Sequence, residues 1–199
     1  MKKTILLLLV AVAATEVFAQ AQFAIGLKGG PNFAKFDVSD VNASFKNKTG
    51  FHLGTYALIK LGKVGIQPEV IFSQQGSKFT FNNEDLKSNF SYVNVPIMLK
   101  TYLVAGLNLQ IGPQFGFLTE AGGDVVDENG EVRPITKDLY KQSDVSIGLG
   151  AGWDLPFGLT IDARYNLGVS KIEDDASLNA TKNQVIQISV GYKLIKIGK

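Results

Sequence analysis

The chain is predicted to be all-β, with eight antiparallel strands in up-and-down order closed into a barrel. Three observations carry this. Polar and apolar residues alternate one by one through eight segments, the period a strand imposes when side chains point to opposite faces in turn. Very short turns and long polar connections alternate strictly between those segments. None of the segments shows apolar recurrence at helical spacing.

The first 21 residues stand apart. Lys2 and Lys3 precede an apolar run from Ile5 to Ala14, and small-residue cleavage motifs end at Ala19 or at Ala21. The run is too short for a transmembrane helix, which needs roughly 20 apolar residues. Residues 1–21 are therefore expected to be a cleaved export signal and residues 22–199 one domain. Without Lys2, Lys3 and Glu16 the formal charge moves from +2 to +1, with no basic run to suggest nucleic acid. The chain has no cysteine, which excludes a lipid-modified cysteine anchor, disulfide staples and thiolate metal sites.

The strands are expected at Phe23 to Phe36, Gly50 to Leu61, Val64 to Gln75, Phe90 to Val104, Leu107 to Thr119, Ser143 to Leu155, Leu159 to Ile172 and Asn183 to Ile195. Tight connections fall at Gly62-Lys63, Ala105-Gly106 and Pro156 to Gly158, each with the glycine that hairpin turns favour. The long ones are Asp37 to Thr49, Gly76 to Asn89, Glu120 to Gln142 and Glu173 to Lys182. In the third, apolar Val125, Val126, Val132 and Ile135 flank Glu128-Asn129-Gly130, and Asn-Gly predicts a hairpin turn there.

Each strand separates into two faces. The sixth sets Val145, Ile147, Leu149, Ala151 and Trp153 against Asp144, Ser146, Gly148, Gly150, Gly152 and Asp154. The eighth sets Ile186, Ile188, Val190, Tyr192 and Leu194 against Gln187, Ser189, Gly191 and Lys193. A soluble lipocalin-like carrier, apolar inside and wet outside, would share this alternation. The polar face argues for the inverse arrangement. It is rich in Gly and Ser, and its charges come in both signs: Lys28, Lys60, Lys100, Arg164 and Lys193 against Glu69, Asp144, Asp154 and Asp162. Such charges can compensate one another in a narrow lumen, as buried charges must.

Aromatic residues gather at strand ends: Trp153, Phe157 and Tyr192 at the turn side, and Phe33, Phe51, Phe72, Phe115 and Phe117 at the loop side. Rings at both interfaces form the girdles of outer-membrane barrels. The expected fold is thus an eight-stranded transmembrane β-barrel with periplasmic termini, four long extracellular loops and three short periplasmic turns. Pro68 and Pro113 on the lipid side, and Pro96 on the lumen side, would interrupt ladders, so bulges are expected there.

Particular phrases resemble those of the PorT-like outer-membrane β-barrel family. They are FAIGLKGGPN from Phe23 to Asn32, YVNVPIMLK from Tyr92 to Lys100, IGPQFGFL from Ile111 to Leu118, the stretch Asp144 to Trp153, YNLG from Tyr165 to Gly168, and VGY from Val190 to Tyr192. The resemblance spans essentially all of the mature chain. It implies a barrel in a Gram-negative outer membrane, in a family mostly without assigned activity whose namesake is associated with export through the type IX secretion system. Fold does not fix function, so that role does not follow from the resemblance. Barrels of this kind often end on an aromatic residue, whereas this chain continues past Tyr192 to Lys199.

Catalytic signals are sparse. His52 is the only histidine, and a Ser-His-Asp hydrolase could recruit it, but no G-x-S-x-G phrase accompanies it. Asp124 to Glu131 is faintly like a calcium loop, yet alignment on its glycine puts Val125 and Thr136 where carboxylates are needed. Glu69 and Arg164 are expected to form a buried ion-pair network filling the barrel rather than a transport site, since eight strands leave room only for side chains.

The sequence therefore assigns no catalytic, cofactor-binding or metal residue. It points to a non-enzymatic integral outer-membrane barrel, a surface scaffold or part of an envelope or secretion assembly. Its partners would be membrane lipid and other envelope proteins, met through loops such as Asp37 to Thr49 and Glu120 to Gln142, with the barrel itself monomeric. A soluble carrier and an outer-membrane enzyme are the alternatives.

Overall fold

The computed structural model describes residues 21–38, 45–81, 84–126, 132–137, 141–169 and 181–198. The expected export signal, apart from Ala21, lies outside them. Nine strands occur there: β1 (Ala21–Val38), β2 (Phe45–Leu61), β3 (Val64–Phe81), β4 (Glu84–Tyr102), β5 (Leu107–Val126), β6 (Val132–Pro134), β7 (Ser143–Asp154), β8 (Leu159–Gly168) and β9 (Thr181–Gly198). Chain neighbours pair antiparallel, β5 passes over β6 to pair with β7, and β9 returns to β1. Eight strands thus close on themselves, and closure removes the unpaired edges a membrane cannot tolerate.

Burial follows the predicted period. Along β7, Asp144, Ser146, Gly148, Gly152 and Asp154 are buried while Val145, Ile147, Leu149, Ala151 and Trp153 are exposed. The same holds around the barrel, where Leu53 is 61 % and Val190 55 % exposed, while Glu69 and Arg164 are 2 % and 3 % exposed. A soluble carrier has the opposite arrangement and is excluded. Left in water, each fully exposed large side chain of the outer face would forgo about 1.5–3 kcal/mol of burial. Hydrocarbon recovers that term. Phe51 and Phe72 pack across the loop-side half of this face, their ring centroids 6.1 Å apart.

The turns form as predicted. At the second, Ala105 and Gly106 have φ of 52° and 83°, both left-handed, and the Leu107 N–H donates to the Val104 carbonyl at 3.0 Å. Two left-handed central residues make the turn whose twist suits a hairpin. Trp153 donates its indole N–H to the Ala105 carbonyl at 2.9 Å, tying this turn to the aromatic rim.

Three expectations are corrected. The connection Gly76 to Asn89 is not a long loop: β3 and β4 run through it, with Phe79 opposite Leu86 and Phe81 opposite Glu84. Its polar residues look like loop composition, but strands standing clear of hydrocarbon need no apolar face. The second correction concerns β8, which ends at Gly168 rather than Ile172.

The third concerns the prolines, none of which sits at a bulge. Pro68 opens a two-pair gap against β2, Pro96 one against β3 and Pro113 one against β4, and the register resumes unshifted each time. Pro31 does the same against β9. A strand residue sends its N–H to one neighbour only, so the missing donor interrupts one ladder and leaves the other intact. The true register shifts lie at Ile25/Gly26, Asn47/His52 and Ser91/Tyr92.

The hairpin expected in the third connection forms on its flanks, where Asp124, Val125 and Val126 pair with Pro134, Arg133 and Val132. The turn residues Glu128-Asn129-Gly130 lie outside the described residues.

Candidate functional site

The barrel interior collects the charged residues of six strands into one network. Arg164 on β8 grips Glu69 on β3 with two prongs, Nη1 to Oε2 at 3.0 Å and Nη2 to Oε1 at 2.8 Å. Lys28 on β1 lies 3.5 Å from Glu69 and 3.3 Å from Asp162. Gln67 donates to Glu69 at 2.7 Å, and Gln110 on β5 donates to Asp162 while accepting from Arg164 at 3.1 Å. A second centre sits toward the turns. There Asp154 on β7 receives Lys100 at 3.2 Å, the Tyr102 hydroxyl at 2.9 Å and Lys193 on β9 at 2.9 Å. Lys100 also approaches Asp162 at 3.7 Å and so joins the two centres.

This chemistry holds strands together. A buried ion pair gains only where desolvation is offset by close geometry and further hydrogen bonds, and Glu69 has both. The expected compensation holds for Glu69, Asp154 and Asp162. It does not extend to Asp144 or Lys60, neither of which has an ion pair among the described residues. Asp144 lies at the loop side over Gly116, beside Asn94, away from the cations of the central network. Lys60 instead rests over the Tyr102 ring, 4.1 Å from its centroid, linking β2 to the rest.

His52 takes part in a separate file of residues toward the loops. Asn32 directs its amide nitrogen at the Phe51 and Gln74 carbonyls, 3.2 and 3.1 Å away, which fixes its Oδ1 as an acceptor. His52 Nδ1, 2.8 Å from that oxygen, therefore carries a proton. In the neutral imidazole Nε2 then accepts from Ser189 Oγ, also at 2.8 Å. Hydroxyl, imidazole and orienting amide stand in the order of a nucleophilic relay. All three side chains are buried, however, with Ser189 3 % exposed. Asn32 Nδ2 also donates to Ser73, and Gln187 donates to Asn32, so the file is one part of a packed polar layer.

Above that layer apolar Ala34, Phe90, Tyr92, Leu118 and Val185 are buried together with polar Gln75 and Ser88. No group of three or more His, Cys, Asp or Glu side chains that could hold a metal ion occurs among the described residues. Sequence reasoning singled out Glu69, Arg164 and His52. It missed Gln67, Gln110, Asn32 and Ser189 as their partners, and Tyr102 and Asn108 as partners of Asp154. Every one of them stands at an inward, alternate position, and that was the only available signal.

Comparison with known proteins agrees with this architecture. Neisserial surface protein A is similar at a TM-score of 0.54 and 11 % identity, over 86 % of this chain and 97 % of that one. Ail, the attachment invasion locus protein of Yersinia pestis, has 18 % identity over 89 % of this chain and 99 % of its own, at a TM-score of 0.47. The outer membrane protein OprG of Pseudomonas aeruginosa has 11 % identity over 91 % and 97 %, at 0.42. No curated protein matches the chain in sequence. The outer membrane protein beta-barrel domain matches residues 18–174, most of the chain. With a closed eight-stranded wall, an apolar exterior and a polar, ion-paired interior, the chain belongs to the outer membrane protein β-barrel domain family and resides in the outer membrane.

Proposed function

We propose that this barrel is a non-enzymatic scaffold of the outer membrane, working as a surface platform or as one component of an envelope or secretion assembly. The observation that carries the reading is the filled interior. The Arg164–Glu69–Lys28–Asp162 network occupies mid-lumen, and Phe90, Tyr92 and Leu118 lie buried on the inward face at the loop side. A solute has no path through such a barrel, so its interactions belong to its two rims. The termini and short turns face the periplasm and the β5–β6 hairpin faces outward, as in bacterial barrels generally. The export signal and the PorT-like phrases support a Gram-negative envelope and membership of that subgroup, and the barrel is monomeric.

The test is crosslinking in native membranes, with identification of the adducts. Specific adducts that vanish when residues 124–138 are deleted would support the scaffold. Solute release from vesicles containing the barrel would overturn it. The enzyme alternative has one observation in its favour, the Ser189–His52–Asn32 file. Its burial argues against access, and labelling of Ser189 by a fluorophosphonate in the folded barrel is the result that would revive it.

A further inference from the structure

The turn-side mouth carries more positive charge than its surroundings neutralise. Lys60 on β2 stands opposite Gln22 and Gly65, both buried inward. Lys196 on β9 stands opposite Ala24, also inward, because the register shift at Ile25/Gly26 returns it to that face. Lys193 lies inward on the same strand, and Lys63 is exposed in the first turn. Asp154 is the carboxylate at this level, and Lys100, Lys193 and the Tyr102 hydroxyl already share it. Lys60 and Lys196 have no ion pair among the described residues; Lys60 rests over the Tyr102 ring and feels the attraction of Asp154 as well as the repulsion of Lys193 and Lys196.

The placement selects the kind of anion. On the outer face the neighbouring residues are Ile59, Leu61, Ile195 and Ile197, so the ammonium groups turn away from the lipid headgroups that ring the barrel. β2 and β9 flank β1, which separates their lysines by about two strand spacings, roughly 10 Å. One phosphate, with about two charges, does not match Lys60, Lys63 and Lys196 together. An extended acidic chain does, because its alternate side chains lie about 7 Å apart on one side and bring one carboxylate to each lysine. Lysine, a flexible point charge, suits carboxylates presented without fixed geometry.

We propose that the turn-side mouth is a docking site for an extended acidic peptide segment of a partner protein. The inference rests on the assembly reading above and adds where, and by what chemistry, a partner binds. The test uses the full barrel in phosphatidylcholine nanodiscs and fluorescein-labelled hexaglutamate, read by anisotropy. Saturable binding is expected, lost at high salt. It should weaken about fivefold in the Lys60→Gln/Lys196→Gln double variant, the equivalent of about 1 kcal/mol for two exposed charge pairs. Hexaglutamine should not bind. Both lysines lie at the mouth rather than in the central network, and heat-modifiable gel mobility checks that the variant is folded.

No binding, or equal binding to the double variant, overturns the proposal. Competition by inorganic phosphate at equal charge overturns it in favour of a small-anion site. Binding that requires phosphatidylglycerol overturns it in favour of the membrane surface. None of these failures affects crosslinks lost on loop deletion, so the scaffold reading is tested separately.

Discussion

Replacing Glu69 by Gln removes one charge from mid-lumen while keeping nearly the same shape. In the native barrel that carboxylate accepts two hydrogen bonds from Arg164 at 2.8 and 3.0 Å and one from Gln67 at 2.7 Å, with Lys28 at 3.5 Å. In the variant Arg164 keeps its bond to Gln110, and Lys28 keeps Asp162. Two buried cations then share one carboxylate where they had two. Breaking a buried pair from one side costs about 3–5 kcal/mol, because the remaining charge stays desolvated and unpaired. The predicted loss is therefore of that order.

Removing both charges, as in Glu69→Gln/Arg164→Met, should cost less than Glu69→Gln alone, since no orphaned guanidinium remains. Denaturant unfolding from vesicles gives the measurement. Trp153, the chain's one tryptophan, is 44 % exposed on the hydrocarbon side and moves into water on unfolding, so its emission reports the transition. A Glu69→Gln cost below about 1 kcal/mol, the range of exposed pairs, would refute the argument that the network is desolvated and structural. A double variant less stable than the single one would refute it from the other side.

Other predictions follow from single positions. Ala105→Gly should stabilise the second turn by about 1 kcal/mol, because Ala105 holds a left-handed φ that costs an L-residue about that much; the same unfolding assay reads it. Gly112→Ala should impair folding, measured by gel mobility, because a Cβ there meets the Ile97 carbonyl, whereas Gly122→Ala, which meets nothing, should be neutral. Spin labels at Ile147 and Ile188 should report lipid and those at Ser146 and Gln187 should not; the reverse pattern would invert the barrel. His52→Ala should cost about 1–3 kcal/mol by leaving Asn32 and Ser189 underpaired, with no effect on any hydrolysis by the purified barrel.

The face of nearly every barrel residue was legible because period two is a local property: Ile147 and Ser146 differ in exposure for the reason that they are adjacent. What the inward residues touch was not. Gln110 and Arg164 are 54 positions apart, and whether they meet depends on the stagger of strands around the closed wall, which no local pattern encodes. The same holds for Lys196. Strict alternation from Tyr192 would turn it outward, and one extra residue at the Ile25/Gly26 shift turns it inward. Strand length beyond the bilayer was hidden too, since residues 76–81 and 84–89 pair as strand although their composition reads as a polar loop. The prolines misled in the other direction. A missing N–H was expected to need an extra residue, and it needed only a gap on one side.

The interior also limits how one rim can influence the other. A signal passed from the β5–β6 hairpin to the lysine mouth would have to travel through a layer with two discrete arrangements, as coupling between distant sites requires. The layers in between offer none. Glu69 is held from three sides, Asp154 from four, and His52 at both ring nitrogens. Moving Glu69 or Asp154 first breaks a buried pair at about 3–5 kcal/mol, and moving His52 leaves Asn32 and Ser189 underpaired at about 1–3 kcal/mol. A barrel built this way keeps its rims in fixed relation and lets each bind independently. Deleting residues 124–138 should accordingly leave hexaglutamate affinity at the turn-side mouth unchanged, and a shift in that affinity would show that the central network has a second arrangement.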